Sequence, residues 1–128
     1  MILLDTHAFV WFVSDRSKLS RSALSAIKHE DDRLMISVVT AWEIALLQKK
    51  DQLTLPLPAS DFIKKAIQRH DIRELALTRT TAISAVNLPD LHSDPFDRVI
   101  IAEAMQNNCT LVSKDATIAT YPDIKALW

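Results

Sequence analysis

Residues 95–115 read PFDRVIIAEAMQNNCTLVSKD, and the change of pattern inside this stretch decides the fold. Pro95 suits the first turn of a helix, where its missing N–H costs nothing. Ile100, Ile101, Ala104 and Met105 recur on one side at helical spacing. Asn107 and Asn108 follow, and Asn is the residue that best replaces Gly in the left-handed turn closing a helix. CTLVS is a short apolar run, the kind of strand a parallel sheet buries on both faces. A crossover helix runs antiparallel to the strands of such a sheet. Asp97, in the first turn of the helix, and Asp115, just past the strand, are therefore expected at the same edge.

The rest of the chain repeats this alternation. MILLD, RLMISV, IRELAL and IKALW read as further strands. AFVWFV, SRSALSAIKHE, TAWEIALLQKK, ASDFIKKAIQRH and TRTTAISAVNL read as helices, with LTLPLP as an extended connector. Strands alternating with helices predict an α/β fold with a mostly parallel central sheet. The 128 residues suit one domain with a real core, and no repeat or linker divides them, so a single domain over 1–128 is expected.

Composition excludes several classes of function. Glycine is absent, which removes the phosphate-cradling P-loop and the dinucleotide fingerprint, both of which need Gly for close backbone approach. The single cysteine, Cys109, has no partner for a disulfide or a zinc site and is expected in the core. A net charge of −1 gives no global basic footprint for nucleic acid. The opening MILLDTHAFVWFV carries no basic lead and is cut by Asp5 and His7. That argues against a signal peptide or membrane span and for a cytoplasmic protein.

The acidic residues carry the chemistry. Glu30, Asp31, Asp32, Asp51, Asp71, Asp90 and Asp123 fall at expected turns or helix ends, where solvated surface is the default. Asp5 ends the first strand, Glu43 lies early in the helix after the second, and Asp97 and Asp115 flank CTLVS. All four reach the carboxyl edge of the sheet, where open α/β folds bind ligands. Four carboxylates there repel each other unless a cation sits between them, and an all-oxygen set suits Mg²⁺ or Mn²⁺. At 100° per residue, Asp97 shares its side with Ile100, Ile101, Ala104 and Met105, while Arg98, Glu103 and Gln106 point elsewhere. Each acid also has a plainer reading. Asp97 fits a capping box, with Asp94 as N-cap, Pro95 at the first position and Asp97 bonding back to the Asp94 amide. Glu43 fits a surface residue, Asp5 a helix cap and Asp115 a turn. The joint pattern favours the metal site.

With these acids identified, the chain resembles the PIN-domain nucleases, most of all the VapC-like endoribonucleases of bacterial toxin–antitoxin pairs. LLDTHAFVW, ISVVTAWEIALLQKKDQLTLP and HSDPFDRVIIAEAMQNNCTLVSKD carry the resemblance, in order, over nearly the whole chain. Asn107–Asn108 departs from it, where relatives commonly have a Gly-containing turn. The resemblance implies a PIN-like three-layer α/β/α domain and hydrolysis of RNA phosphodiester bonds. It implies one or two Mg²⁺ or Mn²⁺ ions held by Asp5, Glu43, Asp97 and Asp115, with Asp94 a further candidate. Thr6 and Ser113 adjoin the acids and are candidates to orient them. Arg98, Lys114, Lys49 and Lys50 are candidate phosphate contacts, with solvated surface as the plainer role. His7 either helps to position substrate or is structural. Trp11, Phe12 and Trp42 are either core or the wall of an apolar groove. The family implies a homodimer and an antitoxin whose helix lies in such a groove.

Two other readings compete. A phosphohydrolase with an aspartyl nucleophile at Asp5 usually wants a second Asp two residues on, and that position is His7. A PIN-like scaffold that binds RNA or protein without cutting is opposed by the presence of all four acids.

Overall fold

Side chains along the central strands alternate between the two faces of the sheet, as a pleat demands. Ile2, Leu4, Leu34, Ile36 and Val112 face one apolar cluster, while Leu3, Met35 and Leu111 face another. The sheet therefore carries a core on each side, and the domain is a three-layer α/β/α sandwich, as the sequence reading expected. The computed structural model describes residues 1–29 and 33–128. The expected turn at Glu30, Asp31 and Asp32 lies outside the described residues.

Five strands form the sheet: β1 (Ile2–Leu4), β2 (Leu34–Ser37), β3 (Arg73–Leu75), β4 (Thr110–Val112) and β5 (Lys125–Leu127). Their order is β3-β2-β1-β4-β5 and every pairing is parallel. Six helices complete the described architecture: α1 (Thr6–Ser14), α2 (Arg21–His29), α3 (Val38–Lys49), α4 (Ala59–His70), α5 (Arg79–Asn87) and α6 (Pro95–Gln106). Phe9, Phe12, Ala23, Ile27, Phe62 and Ile63 bring α1, α2 and α4 to one face of the sheet. Ile100, Ile101 and Ala104 bring α6 to the other, and α5 packs against α6. From β1 the chain moves outward to β2 and β3, then crosses back to β4 on the other side of β1. The order reverses between β1 and β4, and the crevice outside their carboxyl ends is where such folds take ligands. No helix among the described residues is long and apolar enough to cross a membrane.

Local chemistry explains the boundaries. The Ser37 hydroxyl accepts from the Val39 amide at 3.2 Å, so α3 begins at Val38, two residues before the sequence reading began it. Among the described residues four hold positive φ, namely Asp51, Asp71, Asn108 and Asp123. In a chain without glycine, Asp and Asn take the left-handed positions because their short polar side chains tolerate them best. At Asn108 the Cys109 amide returns to Ala104 O at 3.0 Å and the Asn108 amide to Met105 O at 3.2 Å, a Schellman closure of α6. The expected turn is thus present, and Cys109 is buried as expected.

One expectation about α6 fails. Glu103 does not point away from the core but is only 2% exposed, and both its carboxylate oxygens lack a hydrogen-bond partner among the described residues. The wheel assumed a single apolar side. Instead α6 lies between the sheet, α5 and α3, and Ile100 through Ala104 are buried without a break. Burial pushes the Glu103 carboxyl up to about 7, and the nearby Ser37 hydroxyl only partly opposes it.

Candidate metal centre

Asp5 continues β1 past its last ladder residue, its amide donating to Val112 O at 3.1 Å. Its Oδ1 accepts from the Ala8 amide at 2.8 Å, so it caps α1 as well. The capping reading was correct, yet it does not exhaust the residue. Asp5 also lines a cleft of about 310 Å³ together with Glu43, Asp94, Asp97, Asp115, His7, Trp11 and Lys114. The four acids that the sequence directed to this edge do meet there, and Asp94 joins them.

Electrostatic strain is visible at each buried member. Burial raises the Asp5 carboxyl, against hydrogen bonds from Ser113 and the Ala8 amide. Burial raises Glu43 too, against hydrogen bonding with Thr6 and reinforced by the charge of Asp94. Glu43 Oε1 is buried with no hydrogen-bond partner among the described residues. Asp97 is pushed up to about 7 by burial first, then by the charges of Asp94 and Glu43, with His92 opposing. Asp115 is the exception. Burial raises it, but hydrogen bonds from His92 and the Thr117 amide outweigh this and its carboxyl lies below the ordinary value. A cleft of oxygen ligands with an orphaned carboxylate oxygen fits a hard divalent cation, which would relieve the repulsion and satisfy Glu43.

The flanking hydroxyls sit where they can orient the acids. Thr6 is buried and lies 3.4 Å from the Thr40 hydroxyl, beside Glu43. Ser113 is buried, bonds Asp5, and accepts from the Asp115 amide at 3.1 Å. Asp94 is the N-cap of α6, accepting from the Phe96 amide at 2.8 Å and the Asp97 amide at 3.4 Å. The capping box is not completed. The Asp94 amide donates to His92 Nδ1 at 3.1 Å rather than to Asp97, which leaves the Asp97 carboxylate facing the cleft.

The family model for the PIN domain matches residues 2–124. The chain belongs to the PIN domain family. It is 30% identical over 121 residues to Ribonuclease VapC22 of Mycobacterium tuberculosis, covering 94% of this chain and 91% of that protein. VapBC2 from Rickettsia felis, solved bound to a DNA fragment from its promoter, superposes with a TM-score of 0.69 at 16% identity, over 99% of this chain and 98% of that one. A toxin–antitoxin complex from Klebsiella pneumoniae gives 0.69 at 18% identity, over 100% and 97%. DNA-bound VapBC from Salmonella typhimurium gives 0.70 at 14% identity, over 98% and 96%. At these identities the solved structures speak to the fold, and they share the α/β/α sandwich.

Not every residue that the sequence nominated reaches the cleft of this PIN domain. Arg98 does not face it. Its guanidinium donates to the carbonyls of Ala85, Val86, Leu88, Pro89 and His92 at 2.8–3.1 Å and so clamps the end of α5 and the loop after it. Lys49 and Lys50 close the far end of α3, roughly 10 Å along the axis beyond Glu43 at 1.5 Å per residue. Lys114 does line the cleft, with its Nζ 5.9 Å from the centre of the Trp11 ring. His7 is exposed on the same wall, 5.7 Å from Trp11 between ring centres. The three aromatics divide: Phe12 is core, Trp11 is half-buried against Trp128, and Trp42 is 63% exposed beside Phe96.

Sequence reading missed His92. Its Nε2 lies 2.7 Å from Asp115 Oδ2 and 3.2 Å from Asp97 Oδ2. The available signal was a titratable ring two residues before the N-cap of the helix that carries Asp97.

Proposed function

We propose that this PIN domain is a divalent-metal-dependent endoribonuclease and the toxin of a toxin–antitoxin pair. The observation that carries the reading is the cleft itself. Five carboxylates line it, one buried oxygen of Glu43 has no partner among the described residues, and the Asp97 carboxyl is pushed up to about 7. Asp5, Glu43, Asp97 and Asp115 would hold one or two Mg²⁺ or Mn²⁺ ions, with Asp94 beside them. When bound, such an ion supplies Lewis-acid activation of water and neutralises charge on the scissile phosphate. Ser113 keeps Asp5 and Asp115 in register, and Thr6 orients Glu43. Lys114 and His7, on the cleft wall, receive the phosphate backbone of the substrate.

The named relatives support the biological role, one being a ribonuclease and others toxin–antitoxin complexes. A second cleft of about 620 Å³, lined by Val13, Leu57 and Phe62 with Arg16, Lys65 and Arg69, supports an antitoxin segment with an apolar face and acidic flanks. Exposed Trp42, Ile83 and Val86 support a homodimer. The test is cleavage of single-stranded RNA with Mg²⁺ or Mn²⁺. Activity should vanish with EDTA and in Asp5→Asn and Asp97→Asn. Cleavage that survives all three would defeat the reading.

A further inference from the structure

We infer that His92 is a positioning residue of the metal centre and not one of its ligands: its Nε2–H bridges Asp97 and Asp115 and sets the oxygens they present to the ion. The inference rests on the metal-nuclease reading above and goes beyond it.

Distance alone would permit the opposite view, since His92, Asp97 and Asp115 place one donor atom each within 4.8 Å of one another. Hydrogen-bond polarity decides between the two. The Asp94 amide donates to His92 Nδ1 at 3.1 Å, and an amide N–H can only donate. Nδ1 therefore carries a lone pair, and the ring proton of the neutral imidazole sits on Nε2. That proton points at Asp115 Oδ2 (2.7 Å) and Asp97 Oδ2 (3.2 Å). A histidine that ligates a metal through one nitrogen normally donates its other N–H to an acceptor. Here the other nitrogen faces a donor, which is the wrong polarity for a ligand. Moving the proton to Nδ1 would set two N–H groups against each other.

The arm that carries the ring is fixed at both ends. The His92 amide donates to the Tyr121 hydroxyl at 2.9 Å, and its carbonyl accepts from Arg98 at 2.9 Å. Tyr121 is itself buried, and its hydroxyl donates to Pro89 O at 3.0 Å. The side chain of His92 is only 12% exposed. Asp97 and Asp115 come from different elements and repel each other. One N–H shared between their Oδ2 atoms draws them together and leaves the Oδ1 atoms turned away from the ring. On Asp115 the second oxygen accepts from the Thr117 amide at 2.9 Å, so that carboxylate is held from two sides.

Three measurements test the assignment. In metal-free protein, ¹⁵N NMR of the His92 ring, identified by its absence in His92→Gln, should report the Nε2–H tautomer. Calorimetric Mn²⁺ binding should weaken about 10- to 100-fold in His92→Ala, the usual loss for a group that orients ligands. His92→Gln keeps an N–H donor at similar reach and should restore binding to within a few-fold. Electron spin-echo spectra of bound Mn²⁺ should show no ¹⁴N coupling that is lost in His92→Ala. An Nδ1–H tautomer, or a ¹⁴N coupling removed by His92→Ala, would make His92 a ligand and overturn the inference. Unchanged Mn²⁺ affinity in His92→Ala would overturn it while leaving the nuclease reading intact. If the wild type binds no Mn²⁺ at all, the nuclease reading fails and the inference with it.

Discussion

Asp97 and Asp115 reach for the same imidazole nitrogen, yet their surroundings leave them in opposite electrostatic states. Asp115 keeps two good donors and lies below the ordinary carboxylate value, while Asp97 is pushed up to about 7. The difference comes from place. Asp97 is 20% exposed with Asp94 and Glu43 close by, whereas Asp115 is 38% exposed and takes the Thr117 amide as well. Asp97 therefore bears a burial and a crowding that Asp115 is spared.

Removing the Asp97 charge should help the fold and destroy the site. Asp97→Asn is expected to stabilise the metal-free protein at pH 8 by about 1 kcal/mol, since a largely buried carboxylate crowded by Asp94 and Glu43 becomes neutral. Wild type should melt higher as Mn²⁺ is added, because an ion that binds only the folded state stabilises by mass action. Asp97→Asn should show little of this shift. Thermal melts with and without Mn²⁺ check both. A variant that melts lower than wild type without metal, or that gains as much from Mn²⁺, contradicts the assignment.

Glu103 gives a pH dependence that is separate from the cleft. Its folded value, about 7, lies above the ordinary 4.5. Between these values the unfolded chain has released its proton and the folded chain keeps it. The folded state thus binds more protons, and stability falls as pH rises from about 4.5 to about 7. Below that window the group is neutral in both states and adds no pH dependence. Glu103→Gln is isosteric and cannot ionise, so it should stabilise by roughly 1–3 kcal/mol at pH 8 and scarcely at all at pH 4. Urea unfolding of the two proteins across that range gives the comparison. Parallel curves would mean that Glu103 ionises in the folded protein as readily as in the unfolded chain.

Arg98 is expected to act on stability, not on substrate. Its planar fork meets five carbonyls of the segment from Ala85 to His92, a geometry that a Lys ammonium cannot reproduce. Arg98→Ala should cost about 2–3 kcal/mol, and Arg98→Lys should recover little of it. A phosphate contact would behave differently: Lys would preserve much of the RNA affinity, and the melting temperature would hardly move. Melting curves and RNA binding measured on both variants separate the two roles.

Much of this was legible because it depends on period and order. The apolar runs of ILL, LMIS and TLV, alternating with helical spacing, define a parallel sheet, and its topology then brings Asp5, Glu43, Asp97 and Asp115 to one edge. Such placement needs no side-chain detail. Three features depended on tertiary contacts that no local pattern encodes. Glu103 is covered because α6 lies between other elements, which a one-face wheel cannot represent. Arg98 turns to carbonyls of the last turn of α5 and the loop after it, which are free only because α5 ends at Asn87. His92 reaches Asp115 across 23 positions of sequence, and its role depends on which way the Asp94 amide points.

The turn at Asn107–Asn108 offers a last test of how a glycine-free chain closes its helices. Asn108 stands at φ 49°, and the two bonds that end α6 depend on it. Its side-chain oxygen also accepts from Lys125 Nζ at 2.9 Å, an exposed contact that adds little. Asn108→Ala keeps a Cβ and loses the polar group that eases the left-handed conformation, so it should cost about 1 kcal/mol. Asn108→Gly removes the steric cost but adds freedom to the unfolded chain, and the two effects should cancel to within about 0.5 kcal/mol. Since β4 begins two residues later, the loss in Asn108→Ala should appear as faster amide exchange at Cys109 and in the last turn of α6 before it appears at Asp5. Hydrogen exchange resolves this order. Equal stability of the Ala and Gly variants would show that the left-handed position imposes no real constraint here.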